Sequence, residues 1–149
     1  MSDDVRTAAW RMFIENSARL QIELDRRLRD AGMSLHEYHL LLRLHESPGR
    51  RLRMHELRRH LVFSASRLSY QVDALCRRGW LRREPAREDR RGSYAILTEA
   101  GTAAFEAAAP AHVADVDELF FTAVPDDAWG PLADTMTHLS THLDRFEQP

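Results

Sequence analysis

Histidines, carboxylates and one thiol are the groups in this sequence whose spacing invites a catalytic or metal-binding reading, and the spacings do not support one. His55-Glu56-Leu57-Arg58-Arg59-His60 has the residue types of a helical zinc-protease motif. Its histidines are five apart, so on a helix they diverge where ligands four apart would share a face. His138 and His142 are four apart, yet no third ligand accompanies them and they flank apolar residues, which reads as the polar edging of an interface. His36, His39 and His45 lie on or beside one helical run, where satisfied or solvent-facing imidazoles are the ordinary case. Cys76 is the single cysteine; it falls on the inner side of a helix as a small core residue and cannot form an intrachain disulfide. There is no Gly-rich phosphate loop, nucleophile elbow or paired-carboxylate site. The expectation is a protein that is not an enzyme and holds neither metal nor cofactor.

Arginine is the chemistry that remains. The chain has no lysine, so all 21 basic side chains are planar forks able to grip phosphate oxygens or guanine edges with two hydrogen bonds. The formal net charge of −2 conceals a strong asymmetry. Residues 50–91 hold 13 Arg and 5 acids, a net +8, between an N-terminal segment at −1 and a C-terminal segment at −9. A solvated charged face is the plain alternative, but the basic block coincides with a helix, a hairpin and the start of another helix, which points to a polyanion.

That block, Ser64 to Gly101, sets how the arginines must be placed. Ser64 can cap a helix in which Ala65, Leu68, Val72, Leu75 and Cys76 form one stripe, with Gly79 where a left-handed residue would end it. The opposite face collects Ser66, Tyr70, Asp73 and Arg77, flanked by Arg67 and Ala74, and suits an anionic surface. Trp80 to Glu84 and Ser93 to Leu97 read as strands joined by Pro85 to Gly92, a loop too long for a tight turn and carrying three arginines, so it should project. Thr98 is placed to cap the next helix.

The rest of the chain reads as helices around this block. Asp4 to about Arg29 puts Trp10, Phe13, Ile14, Ser17, Leu20, Leu24 and Leu28 near one face, and Gly32 stops it. Ser34 with Glu37 makes a capping box for a second helix from Leu35 through Leu41, Leu42 and Leu44 to the break at Ser47-Pro48-Gly49. Arg51-Leu52-Arg53 can pair with the hairpin, Met54 to Leu61 is a short third helix, and Val62-Phe63 makes the turn into Ser64. After Gly101 the chain is Ala-rich and helical, with Pro110 expected to kink or break it. Trp129, Leu132, Met136, Leu139, Leu143 and Phe146 then form a seam spaced 3, 4, 3, 4, 3. With Phe120, Phe121 and the first helix, this is more apolar surface than the small basic lobe can cover: either it packs within the chain or it dimerises. At 149 residues one domain can bury a core, no apolar run is long enough to span a bilayer, and Met1-Ser2-Asp3-Asp4 lacks the order of a signal peptide, so a cytoplasmic protein is expected.

The residues from Ser64 to Gly101 resemble the MarR family of winged helix-turn-helix transcriptional regulators. The resemblance lies in Ser66-x-x-Ser69-x-x-Val72-Asp73-x-Leu75 followed by Arg78-Gly79, in Asp89-Arg90-Arg91 at the wing, and in Leu97-Thr98-Glu99-Ala100-Gly101. Tyr70 departs from it, since many members have Arg or His there. The resemblance implies a mainly α fold with a small antiparallel β wing and an intertwined helical homodimer. Residues 50–97 would be the winged helix-turn-helix lobe of a single domain spanning 1–149, and 1–48 and 98–149 the dimerisation helices, the first and last of two chains interleaving.

On this reading Ser64, Ser66, Arg67, Ser69, Tyr70 and Gln71 approach base edges or phosphates in a major groove. Arg91 enters the minor groove with Asp89 orienting it, and Arg87 and Arg90 rest on the flanking backbone. The alternative for Arg91 is a salt bridge to Asp73 that only braces the wing. Family members are often repressors released by small aromatic or phenolic effectors, for which Trp10, Ile14, Tyr38, His39 and Leu42 are candidate lining residues or, equally, ordinary core. Some relatives bind zinc near here, and His39 with His112 is the only remnant of such a set. The competing class is a helical dimeric protein-interaction module that has lost DNA binding.

Overall fold

Three helix starts carry the caps that the sequence offers, at Ser34, Ser64 and Thr98. The computed structural model describes residues 3–61 and 64–146; the turn expected at Val62-Phe63 lies outside the described residues. Helix α1 (Asp3–Leu28) runs into a single 3-10 turn and ends at Gly32, whose φ of 75° is the left-handed stop. Helix α2 (Leu35–Glu46) opens on a complete capping box: Glu37 N–H donates to Ser34 Oγ at 3.1 Å and Ser34 N–H donates to Glu37 Oε2 at 2.8 Å. Strand β1 (Arg51–Arg53), helix α3 (Met54–Leu61), helix α4 (Ala65–Arg77) and strands β2 (Leu81–Pro85) and β3 (Ser93–Leu97) follow. The strands form one antiparallel sheet in the order β1-β3-β2, with Arg53 opposite Tyr94 and Leu81 opposite Leu97.

Strand β2 starts one residue later than the sequence suggests because Trp80 is spent on closing α4. Trp80 N–H donates to Leu75 O and Gly79 N–H to Cys76 O, both at 3.0 Å, around Gly79 at φ 77°. These are the two hydrogen bonds of a glycine C-cap. Helix α5 (Glu99–Val116) is capped as expected, Gly101 N–H donating to Thr98 Oγ1 at 3.0 Å.

Of the kink or break expected at Pro110, the break does not occur: α5 continues through it to Val116. Proline removes one donor, and the carbonyl it would have served belongs to Glu106, an exposed residue whose freed oxygen can be hydrated. A π turn at Asp117–Phe121 and helix α6 (Trp129–Leu143) complete the described chain.

Residues up to Val113 form one compact unit and those from Ala114 a second. In the first, Leu40, Leu41, Leu44, Leu57, Leu68, Val72 and Leu75 are sealed from solvent, with Leu24 and Leu28 at the end of α1, Ala95 to Leu97 of β3 and Phe105 of α5. On the apolar stripe of α4, Ala65 is exposed at the helix start and Cys76 is half-buried. In the second unit Phe120 and Phe121 each meet Trp129 edge to face and are tilted against one another, the ring centres 5.6 to 5.9 Å apart, and α6 has no buried residue.

Candidate nucleic-acid interface

The outer face of α4 is polar because its inner face is spent on the core. Leu68, Val72 and Leu75 face inward, which leaves Ser66, Arg67, Tyr70, Asp73 and Arg77 exposed, with Ser69, Gln71 and Ala74 half-buried at the margins. Ser64 caps the helix, its Oγ accepting from Arg67 N–H at 3.3 Å. Tyr70 is 67% exposed, so an aromatic ring with a hydroxyl tip stands off the helix. Such a face, with guanidinium, hydroxyl and amide groups on a rigid rod, can meet base edges and phosphates.

Arg83 on β2 reaches back and braces this helix, a role the sequence did not disclose. Its Nη2 donates to Ser69 Oγ at 2.9 Å and its Nε lies 3.3 Å from Asp73 Oδ1. Asp73 therefore has a partner, and it is not Arg91, so the bracing alternative weighed for Arg91 is overturned. Ser69 is also less free to read a base than its position suggested, since its hydroxyl already accepts from Arg83. At the other end, Arg78 donates to Gly32 O at 2.7 Å, lies 3.3 Å from Glu37 and stacks 3.6 Å over the Trp80 ring. The close of α4 is thereby tied to the corner between α1 and α2.

The wing tip is a small closed loop. Ala86 N–H donates to Gly92 O at 2.9 Å, and Ala86 is buried beneath it. Arg87, Arg90 and Arg91 are exposed, and among the described residues none of the three is in an ion pair. Asp89 holds Arg91 by the backbone: Arg91 N–H donates to Asp89 Oδ1 at 3.0 Å, leaving the guanidinium unengaged. The carboxylates of the same loop are already engaged, Glu88 and Asp89 lying beside Arg53 of β1, and on β2 Arg82 is paired with Glu84. The loop's acids are thus spent on Arg53, and its three arginines are left to a phosphate or a narrow groove.

The five residues proposed for an effector pocket have different fates. Trp10 and Ile14 are exposed on α1, Leu42 is half-buried, and Tyr38 is buried in the core, its ring centre 4.1 Å from that of His112 and 5.2 Å from that of Phe105. His39 is exposed on α2, its ring centre 6.5 Å from that of His112; partial desolvation by its neighbours lowers its pKa, with the nearby His112 adding to the shift. None of the five lines the cavity of about 730 Å³ that the structure shows beside α1. That cavity is walled by Gln21, Ile22, Asp25, Arg26 and Arg29 of α1, by Ser34, Leu35 and His36, and by Gln71 of α4. Asp25 is fixed there by the N–H of Leu35 at 2.9 Å, which lowers its pKa. Among the described residues no three His, Cys, Asp or Glu side chains group as metal ligands. Burial raises the pKa of the Cys76 thiol, which makes it a poor nucleophile.

A profile of the MarR family matches residues 31–92, from the α1–α2 corner to the end of the wing loop. The crystal structure of AbsC, a MarR family transcriptional regulator from Streptomyces coelicolor, superposes with a TM-score of 0.90 at 33% identity over 97% of each chain. Sco3205, a MarR family regulator from the same organism solved in complex with DNA, matches with a TM-score of 0.90 at 39% identity over 100% of this chain and 91% of that one. A mutant MarR from E. coli complexed with operator DNA shares the fold, with a TM-score of 0.77 at 20% identity over 87% of this chain and 91% of that one. Among curated proteins none matches the sequence. The chain belongs to the MarR family of transcriptional regulators.

Proposed function

We propose that the protein is a dimeric, effector-responsive repressor that binds duplex DNA at an inverted repeat and has no catalytic activity. The observation that carries this is the pairing of a rigidly braced α4, polar on its outer face, with a wing tip whose three arginines have no ion-pair partner among the described residues. In this reading α4 lies in the major groove, with Ser66, Arg67, Tyr70 and Gln71 nearest the bases or phosphates, and Arg91 enters the minor groove between backbone contacts from Arg87 and Arg90. Its place of work would be the cytoplasm. The relative Sco3205, crystallised with DNA, supports the choice of partner.

A second copy of the chain is the partner that suits the exposed apolar residues. Trp10, Phe13 and Ile14 on α1 and Leu139, Leu143 and Phe146 at the end of the chain are more exposed than such side chains are when covered. A twofold dimer would present two α4 helices about one helical turn of DNA apart. Room for an effector exists in the cavity beside α1, where Arg26, Arg29 and His36 could meet an aromatic acid or phenol and Gln71 would carry its effect into α4.

Titration against fragments of the source genome over a range of salt tests the reading. If the dimer neutralises on the order of eight phosphates, log K against log salt should fall with a slope of about −7. Absence of binding at low salt would instead favour a helical interaction protein.

A further inference from the structure

Arg53 is absent from the DNA contacts proposed above, yet it is the residue on which the wing closes. It ends β1, and its backbone N–H donates to Glu56 Oε2 at 3.1 Å, which fixes it to the start of α3. Its side chain is only 17% exposed and runs across the base of the wing. There Nη2 lies 3.3 Å from Glu88 Oε1 and Nη1 lies 3.8 Å from Asp89 Oδ2. Tyr94 joins the cluster from β3: its hydroxyl donates to Glu88 Oε1 at 2.7 Å, and the Arg51 guanidinium stands 3.8 Å from its ring centre. The Tyr94 hydrogen bond, with Glu88's own backbone N–H and the nearby Arg53, holds the Glu88 carboxyl below its usual range, so it is ionised wherever the arginine needs it.

Two further details give the cluster a direction. A Cβ on Gly92 would overlap Arg53 Nη1, so the guanidinium passes through space that only glycine leaves open. Asp89 faces Arg53 with one oxygen and accepts the Arg91 N–H with the other, which links β1 to the backbone of the tip. We propose that Arg53 is a positioning residue: by gripping Glu88 and Asp89 across Gly92 it holds the wing loop in the shape that presents Arg87, Arg90 and Arg91 together. The consequence for DNA rests on the wing reading above; the latch itself does not.

Trypsin cuts after arginine, so digestion of the intact protein without DNA reads the latch at Arg87, Arg90 and Arg91. Cleavage follows the population of the open loop when opening is faster than cutting, and Arg53→Ala should raise the rate at these sites roughly tenfold. Gly92→Ala is the sharper variant. It keeps every cation and displaces only the flexible end of one side chain, so it should melt as wild type yet be cut as fast as Arg53→Ala. Both variants should weaken DNA binding, and Arg53→Ala should cost less when Arg91 is already Ala than in the wild type, because the Arg91 contact is then lost only once while the presentation of Arg87 and Arg90 is still lost.

Wild-type cleavage of Gly92→Ala would overturn the proposal. So would additive losses from Arg53→Ala and Arg91→Ala, which would make Arg53 a direct phosphate contact. Faster cleavage of Gly92→Ala, with Arg91→Ala binding DNA as wild type, would sustain the latch and remove the minor-groove reading instead.

Discussion

Helices α4 and α6 carry apolar residues at the same three-and-four spacing and end in opposite states. Leu68, Val72 and Leu75 of α4 are sealed inside their own chain, whereas Leu139 and Leu143 of α6 and Phe146 just beyond it are 37%, 52% and 69% exposed. A periodic stripe establishes that a helix has a dry face and says nothing of what covers it. For α4 the cover includes α3 and β2, its neighbours in sequence, held in register by caps and turns. For α6 no residue is buried within its own unit, and the dimer proposed above would supply the cover.

The largest expected effect is at the uncovered helix. Leu139→Asp would place a charge without a partner in the proposed interface, and sedimentation should show the wild type as a dimer at micromolar concentration and the variant as mostly monomer. A full dimer in the variant would mean that the apolar stripe of α6 serves some other contact. In the covered helix the corresponding damage is internal. Leu75→Ala should cost about 2–5 kcal/mol of unfolding free energy in a denaturant titration while leaving association unchanged once the protein is folded. A loss well under 1 kcal/mol would mean that the α4 stripe is no better sealed than that of α6.

Smaller effects should separate the two surfaces that the lobe presents to DNA. Arg91→Ala should weaken binding by roughly 1–3 kcal/mol and leave base preferences in the major groove unchanged. Tyr70→Ala should instead relax preference at particular base pairs, and selection of bound sequences with each variant would tell the two apart. Asp73→Asn removes the partly exposed pair with Arg83 and should lower stability by only about 0.2–1 kcal/mol.

The smallest effect is in pH. Glu88 has a lowered pKa in the folded chain, so its contribution is present above the ordinary carboxylate range and is lost as pH falls through the lowered value. Protease sensitivity of the wing should therefore rise only in acid, and a rise near neutral pH would point to a histidine.

Features that depend on a few neighbouring residues were legible in the sequence. The capping box of Ser34 and Glu37, the Ser64 cap, the left-handed close at Gly79, the Thr98 cap and the span of β3 all stand where the residue types place them. The caps and the glycine close are each a hydrogen bond or a φ value satisfied within about five residues, so no knowledge of the fold is needed to foresee them. The wing arginines could be read as a projecting basic loop for the same reason.

Which arginine meets which carboxylate was decided only by the tertiary structure. Asp73 is served by Arg83 and not by Arg91 because α4 packs on β2, and Arg53 crosses to Glu88 and Asp89 because the β1-β3-β2 order sets β1 beside β3 at the wing. Residues 50–91 contain 13 chemically identical guanidinium forks, and composition cannot rank them; distance does, and distance is a property of the assembled sheet. Tyr38 shows the same limit from the apolar side. Its place in α2 was readable, but its burial against His112 and Phe105 depends on a helix more than sixty residues further along the chain, and only that packing decides whether an aromatic ring lines a pocket or fills a core.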